Sequence, residues 1–169
     1  SYGYGVASTE GAQLTLHRSL LDTNRNVGLS VTSGSTMVLS DVVIQNTDSA
    51  DDQPAGMGAL VRNGAQITMA RSDLLSHRST GVIVSGAATR GHAEDLIIQN
   101  TQVAHDGTMG WGVSVYGGSH LTLRRADFGK NAEIGLFGAD ADTTIDAEDL
   151  VVEDMLGLPD GSGGAGVFF

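Results

Sequence analysis

Two segments of the chain could bind a cation or a sugar, because they contain acidic residues, a histidine and the only tryptophan. Carboxylate oxygens are the ligands that calcium prefers, and a tryptophan ring offers a flat apolar surface for a sugar ring. These residue types therefore predict a binding site. Its candidate residues are Asp48, Asp51, Asp52, His105, Asp106 and Trp111. The candidate calcium ligands among them are Asp51, Asp52 and Asp106.

The spacing of these carboxylates matches neither of two familiar calcium loops. The chain has no EF-hand spacing and no Gly-Gly-x-Gly-x-Asp repeat, and turns rich in Asp and Gly are usually just solvated turns. We therefore expect no cofactor, with calcium as the alternative. Trp111 also has two interpretations, because it could stack on a sugar or cover apolar loop residues such as Met57 and Met109.

Regularly spaced glycines indicate the structural elements that position these residues. One series has members 53 or 54 residues apart, and a second series lies between them at the same spacing. Residues 11–19, 64–72 and 118–126 also match one another, so double-coil repeats run approximately over 11–63, 64–117 and 118–169. Such a period is typical of a stacked array of coils. The glycines are Gly5, Gly58, Gly112 and Gly166 in the first series and Gly28, Gly81 and Gly135 in the second.

Within each repeat, apolar residues alternate in short runs with a period of two, which predicts β-strands. In the first coil the predicted strands are 13–16, 19–21 and 28–31, separated by one tight bend and one polar turn. This pattern predicts an all-β fold, a right-handed single-stranded parallel β-helix with three strands per coil and about six to seven coils. We treat 1–169 as a single segment and, because it begins and ends within a repeat, expect adjoining coils in a longer chain.

The repeat resembles the right-handed parallel β-helix repeat family of pectate-lyase-like architecture. The units Gly11-Ala-Gln-Leu-Thr-Leu and Gly64-Ala-Gln-Ile-Thr-Met are similar to the Gly-Ala-x-Leu-x-Leu units of its repetitive bacterial secreted or surface members. The resemblance covers essentially the entire chain and implies the fold and an extracellular or cell-surface location. It leaves function open, since that architecture hosts lyases, hydrolases, epimerases, tailspikes, adhesins and structural stalks.

Stacking the coils places charged residues of alternating sign at one station and polar residues at another. We interpret the charged row as an ion-pair ladder that holds the register of the coils, with a calcium-binding row of Asp41, Asp95 and Asp149 as the alternative. His77 falls in the polar row with Asn24, and we expect it to be structural rather than catalytic. The charged row is Arg18, Asp41, Arg71, Asp95, Arg125 and Asp149.

Alternate coils carry insertions at 48–57, 102–111 and 156–165, which we expect on one side of the array as a binding face. The formal net charge of −11 disfavours nucleic acid and anionic membranes as partners. No segment has the length of apolar sequence needed for membrane insertion. We therefore expect carbohydrate or a surface protein as the partner.

Catalytic motifs are incomplete. Asn46-Thr47-Asp48 is similar to the Asn-Thr-Asp motif of polygalacturonase-type glycosidases, but Arg71-Ser72-Asp73 stands where that family places an Asp-Asp pair. A catalytic site should also interrupt the repeat, and the candidate bases and acids all recur at equivalent stations. Whether the chain is an enzyme therefore stays open, and the sequence favours a chain that is not one.

The sequence predicts a non-catalytic extracellular β-helix segment of a surface stalk or adhesin, which binds glycan or protein through its long-loop face. The alternative is part of a polysaccharide-active enzyme, a lyase, hydrolase or epimerase, in which the acidic loops and Trp111 line a sugar-binding groove.

Overall fold

The computed structural model describes residues 3–49, 55–158 and 160–169, and within them the chain forms thirteen β-strands. The odd-numbered strands are short: β1 Tyr4–Ser8, β3 Val27–Val31, β5 Met57–Arg62, β7 Thr80–Ser85, β9 Trp111–Tyr116, β11 Ile134–Gly138 and β13 Ala165–Phe168. The even-numbered strands are ten residues each: β2 Gln13–Asp22, β4 Thr36–Gln45, β6 Gln66–Leu75, β8 Arg90–Gln99, β10 His120–Gly129 and β12 Thr144–Glu153. No helix of membrane-spanning length and hydropathy occurs in these described ranges.

The strands belong to two parallel sheets, and both sheets contribute residues to one hydrophobic core. The odd strands form a seven-stranded sheet and the even strands a six-stranded sheet, each in chain order. Since consecutive strands alternate between the two sheets, every coil contributes one strand to each. The architecture is compatible with a parallel β-solenoid, as the strand pattern of the sequence predicts.

Equivalent residues of successive coils lie directly beside one another. Leu16 pairs with Leu39, and Leu39 pairs with Met69. Side chains at such positions are fully buried in the middle coils, and each contributes about 1.5–3 kcal/mol to the free energy of folding. Leu14, Leu16 and Ile145 are only partly buried, because among the described strands nothing pairs with the outer edges of β2 and β12.

The predicted division of each coil into three strands differs from the two-sheet arrangement. Predicted strands 13–16 and 19–21 are halves of β2, which remains one strand through Arg18. Arg18 has a φ of 47°, and the equivalent Asp41 and Arg71 have φ values of 57° and 49°. A single residue in the left-handed region changes the direction of a strand, while the hydrogen-bonded ladder continues on both sides of it.

The glycine repeat has a steric cause. A Cβ on Gly58 would lie 2.6 Å from the carbonyl oxygen of Gly81 and 2.6 Å from Nε2 of His77. A Cβ on Gly81 would lie 2.6 Å from the carbonyl oxygen of Gly112. All three distances are shorter than real Cβ contacts, so the backbone of each coil touches the next one and leaves room for hydrogen alone.

Candidate functional site

The long insertions all connect the end of an even strand to the start of the following odd strand. They span 46–56, 100–110 and 154–164, and we call them the first, second and third long loops. Short turns at 76–79 and 130–133 make the same connection in the coils between them. Each short turn therefore forms the floor of a groove between two long loops. The first groove lies over 76–79 and the second groove over 130–133.

Asp48 and His105, two of the candidate binding residues, lie together at the first groove. Oδ1 of Asp48 accepts a hydrogen bond of 2.9 Å from Nε of Arg78 and lies 3.4 Å from Nε2 of His105. Nη1 of Arg78 also donates to the carbonyl of Val103, 3.3 Å away. Arg78 therefore connects the first long loop to the second across the short turn between them.

The charge of Asp48 is stabilised by these contacts. Burial acts to raise its pKa, but the Ser49 amide, Arg78 and His105 together outweigh burial and lower the pKa. The carboxylate is consequently ionised well below neutral pH. An ionised carboxylate engaged by a guanidinium has less capacity left for a metal ion or a substrate.

Asp106 lies on the same loop as His105 but is engaged in a local turn. Its Oδ1 accepts hydrogen bonds from the amide of Thr108 at 3.0 Å and from the hydroxyl of Thr108 at 2.6 Å, and these lower its pKa. Asp160 makes the equivalent pair of contacts with Ser162 in the third long loop. Asp51 and Asp52, the other two candidate calcium ligands, lie outside the described residues.

Trp111 turns towards the following short coil. Its indole stacks on Phe137 with ring centroids 4.7 Å apart, and its Nε1 donates a 2.8 Å hydrogen bond to Glu133. Phe137 stacks in turn on Phe168, at 5.8 Å. The three rings form an aromatic row across β9, β11 and β13, and Phe168 is 53% exposed. Of the apolar loop residues considered for Trp111, Met109 instead contacts the hydroxyls of Ser79 and Thr80.

The charged row is aligned as the sequence predicts, since His17 pairs with Ser40 and Ser19 with Val42 on either side of Arg18 and Asp41. Its ion pairs form towards the preceding coil. Arg71 binds Asp41 through two hydrogen bonds of 2.7 and 2.9 Å.

In the same way, Arg125 binds Asp95 at 2.6 Å and also binds Glu94. The bond from Arg71 lowers the pKa of Asp41, and that from Arg125 lowers the pKa of Asp95. The guanidinium groups thus stand between successive carboxylates.

His77 is fully buried within the polar row, and neither of its ring nitrogens makes a hydrogen bond. Burial lowers its pKa to about 4, and the nearby backbone of Ile44 acts in the opposite direction without overcoming burial. The equivalent Asn131 accepts a bond from the Thr101 amide at 3.1 Å and donates to the Ile98 carbonyl at 3.3 Å. A buried neutral imidazole without access to solvent has no means of exchanging protons with a substrate.

The second groove is a feature that the sequence reasoning missed. It encloses about 340 Å³, against about 190 Å³ for the first groove. Ala132 stands where the first groove has Arg78, because their amides make equivalent bonds to Thr101 and Thr47. Comparing short turns with each other, rather than with the long loops, would have revealed this substitution.

Among the described residues, no group of three or more His, Asp or Glu side chains is arranged to hold a metal ion. The candidate residues thus fall into separate places: Asp48 and His105 at the first groove, Asp106 in its own turn, and Trp111 in the aromatic row. Comparison of the chain with protein-family models found no match, and searches among curated proteins and solved structures found no significant similarity either.

Proposed function

We propose that this chain is a non-catalytic β-helical segment of an extracellular surface stalk or adhesin, which binds glycan through its long-loop side. The observation that carries the proposal is the pairing of its acidic groups. Asp41, Asp48 and Asp95 are each bound by an arginine of the next coil, at 2.6–2.9 Å. Such pairs hold neighbouring coils in register, which is a scaffold's requirement rather than a catalyst's.

We further propose that the coils wind as a right-handed helix with a three-sided cross-section, like the pectate-lyase-like repeat proteins that the sequence resembles. The left-handed residue in the middle of each even strand supports three sides, because it divides that strand into two straight halves. Crossover connections between parallel strands are right-handed in about 98% of cases, which supports the handedness. An experimental structure with two flat faces, or with left-handed coils, would contradict this geometry.

The proposed glycan contact is the aromatic row of Trp111, Phe137 and Phe168, which begins where the second long loop joins β9. Aromatic rings offer a sugar ring apolar contact, and Glu133 holds the indole of Trp111 in a fixed orientation. The net charge of −11 favours neutral over acidic glycans. A protein ligand at the same face is the alternative partner.

Fluorescence of Trp111 tests the glycan contact directly, because it is the only tryptophan. We expect saturable quenching by a neutral oligosaccharide such as cellohexaose or mannohexaose, and weaker quenching by a galacturonate hexamer. Phe168→Ala should weaken binding, and Tyr116→Ala, at the opposite end of β9, is the matched control. Quenching that Phe168→Ala leaves unchanged, or an absence of quenching with all three sugars, would contradict the proposed contact.

One observation favours the enzyme alternative. His105 and Asp48 lie 3.4 Å apart beside an open polar groove, and a histidine next to a carboxylate is a common acid–base pair. Incubation with the same oligosaccharides should release no new reducing ends and no unsaturated sugars. Product release that His105→Ala abolishes would refute the non-catalytic assignment and support a polysaccharide-active enzyme.

A further inference from the structure

The second groove differs from the first groove in the residues at two equivalent positions of the repeat. In the first groove, Asp48 and Arg78 form an ion pair across the groove. At the equivalent positions of the second groove stand Gln102 and Ala132, whose backbones make the same inter-coil hydrogen bonds. Neither side chain can form that ion pair. The second groove is therefore open because the two residues that fill the first groove are replaced.

The walls of the second groove are aliphatic. Val103 of the second long loop lies on one side, and Leu156 and Leu158 of the third lie on the other. Leu156 is 69% exposed, the highest exposure among the large aliphatic side chains of the described residues. Ala132 lies on the floor of the groove and is buried.

One cation lines this aliphatic groove. Lys130 is the only lysine of the chain, and it occupies the station held by Ser76 in the first groove. No carboxylate among the described residues lies within 4 Å of its ammonium group, although Asp154 follows at the same station of the next coil. The amide side chain of Gln102 adds a hydrogen-bond donor to the lining of the groove.

We propose that the second groove binds a small carboxylate with an aliphatic body. The aliphatic part would contact Leu156, Leu158 and Val103, and the carboxylate would accept hydrogen bonds from Lys130. A volume of about 340 Å³ is at the lower end of the range for small-molecule sites. The absence of aromatic rings from the described lining disfavours a sugar, and a single cation is a poor match for a phosphate. This site is distinct from the aromatic row and does not depend on the glycan proposal.

Hexanoate is the probe for this site, and lysine-selective isotope labelling allows its detection. Because the chain has one lysine, ¹³C-labelled lysine yields a single side-chain set of NMR resonances from Lys130. We expect hexanoate to shift these resonances and the Leu158 amide in a saturable manner. Acetate, which lacks the aliphatic body, and hexylammonium, which has the opposite charge, should produce no saturable shift.

Variants taken from the repeat itself test the contacts. Ala132→Arg together with Gln102→Asp rebuilds the ion pair of the first groove and should abolish binding. Lys130→Ser, observed through the Leu158 amide, should weaken binding about tenfold or more. Ser76→Ala is the matched control, because Ser76 holds the station of Lys130 in the first groove and does not line the second groove, and it should leave hexanoate affinity unchanged.

Unchanged affinity in the rebuilt double variant would overturn the proposal, as would equal shifts with hexanoate and hexylammonium. If both groove variants fold, as judged by unchanged amide spectra of the central coils, loss of binding in them and retention in Ser76→Ala supports the site. Loss of binding in all three would place the ligand elsewhere and refute it.

Discussion

His77 should make the stability of the fold depend on pH between about 6.5 and 4. Its pKa is 6.5 in an exposed chain and about 4 in the folded protein, where burial excludes the charged form. Between pH 6.5 and pH 4 the unfolded chain therefore binds a proton that the folded chain does not. The unfolding free energy is unaffected by His77 above pH 6.5 and decreases as the pH falls from 6.5 to 4. A difference of 2.5 pH units corresponds to about 3 kcal/mol in total, or about 2 kcal/mol by pH 5.

His77→Asn isolates this contribution. The repeat already has asparagine at the equivalent position 131, where it bonds to the Thr101 amide and the Ile98 carbonyl. An asparagine at 77 can make the same bonds to Thr47 and Ile44, and it does not titrate. The variant should retain the fold while losing the pH dependence that His77 causes.

Urea unfolding of both proteins, followed by circular dichroism at several pH values from 7.5 to 4.5, measures the effect. The remaining histidines and carboxylates titrate equally in the two proteins, so the difference between their unfolding free energies reports His77 alone. Between pH 7.5 and pH 5, the unfolding free energy of the wild-type protein should therefore fall by about 2 kcal/mol more than that of the variant. A difference that stays constant with pH would refute the assignment of a buried, neutral imidazole.

Four further substitutions test the packing and the backbone conformation. Gly81→Ala should destabilise the fold by about 2–4 kcal/mol, because its Cβ would lie 2.5 Å from Ile98 and 2.6 Å from the Gly112 carbonyl. Gly64→Ala, which has open space but a φ of 74°, should cost only about 1–2 kcal/mol, and equal losses in chemical denaturation would contradict the steric explanation. Leu123→Ala should cost about 2–5 kcal/mol, because its side chain is 1% exposed and packed on both sides by neighbouring coils. Thr23→Asn should stabilise the fold by about 0.5–1 kcal/mol, since exposed Thr23 has a φ of 55° that asparagine tolerates better; a fall in melting temperature would contradict this.

The candidate site was only partly accessible to sequence reasoning. Asp48 and His105 could be named as polar loop residues, but their 3.4 Å contact depends on the stacking of two coils. The ion-pair row was predictable, because a period of one coil brings Arg71 beside Asp41 whatever the details of the loops. The direction in which each arginine bonds was not, since the same guanidinium has a carboxylate in the coil on either side.

The second groove could not be recognised from its residues in the linear sequence alone. Ala132 and Lys130 are unremarkable in a linear sequence, and their meaning depends on a comparison with Arg78 and Ser76 of the equivalent turn. Whether that replacement leaves an open space depends on the distance between the flanking loops, which are held by backbone hydrogen bonds between coils. A volume of this kind is a property of three coils together.

The sequence by itself determined the stacked architecture, because its period of glycines and its alternation of apolar residues recur with the spacing of one coil. Those constraints are local and steric: a glycine where backbones touch, and an aliphatic residue where a side chain faces inward. Only the tertiary structure decided that each coil contributes one strand to each of two sheets, with a bend inside the longer strand. It also decided which polar side chains form pairs. The physical reason is that loop conformation and ion-pair direction are chosen by several weak contacts between coils, none of which has a sequence period of its own.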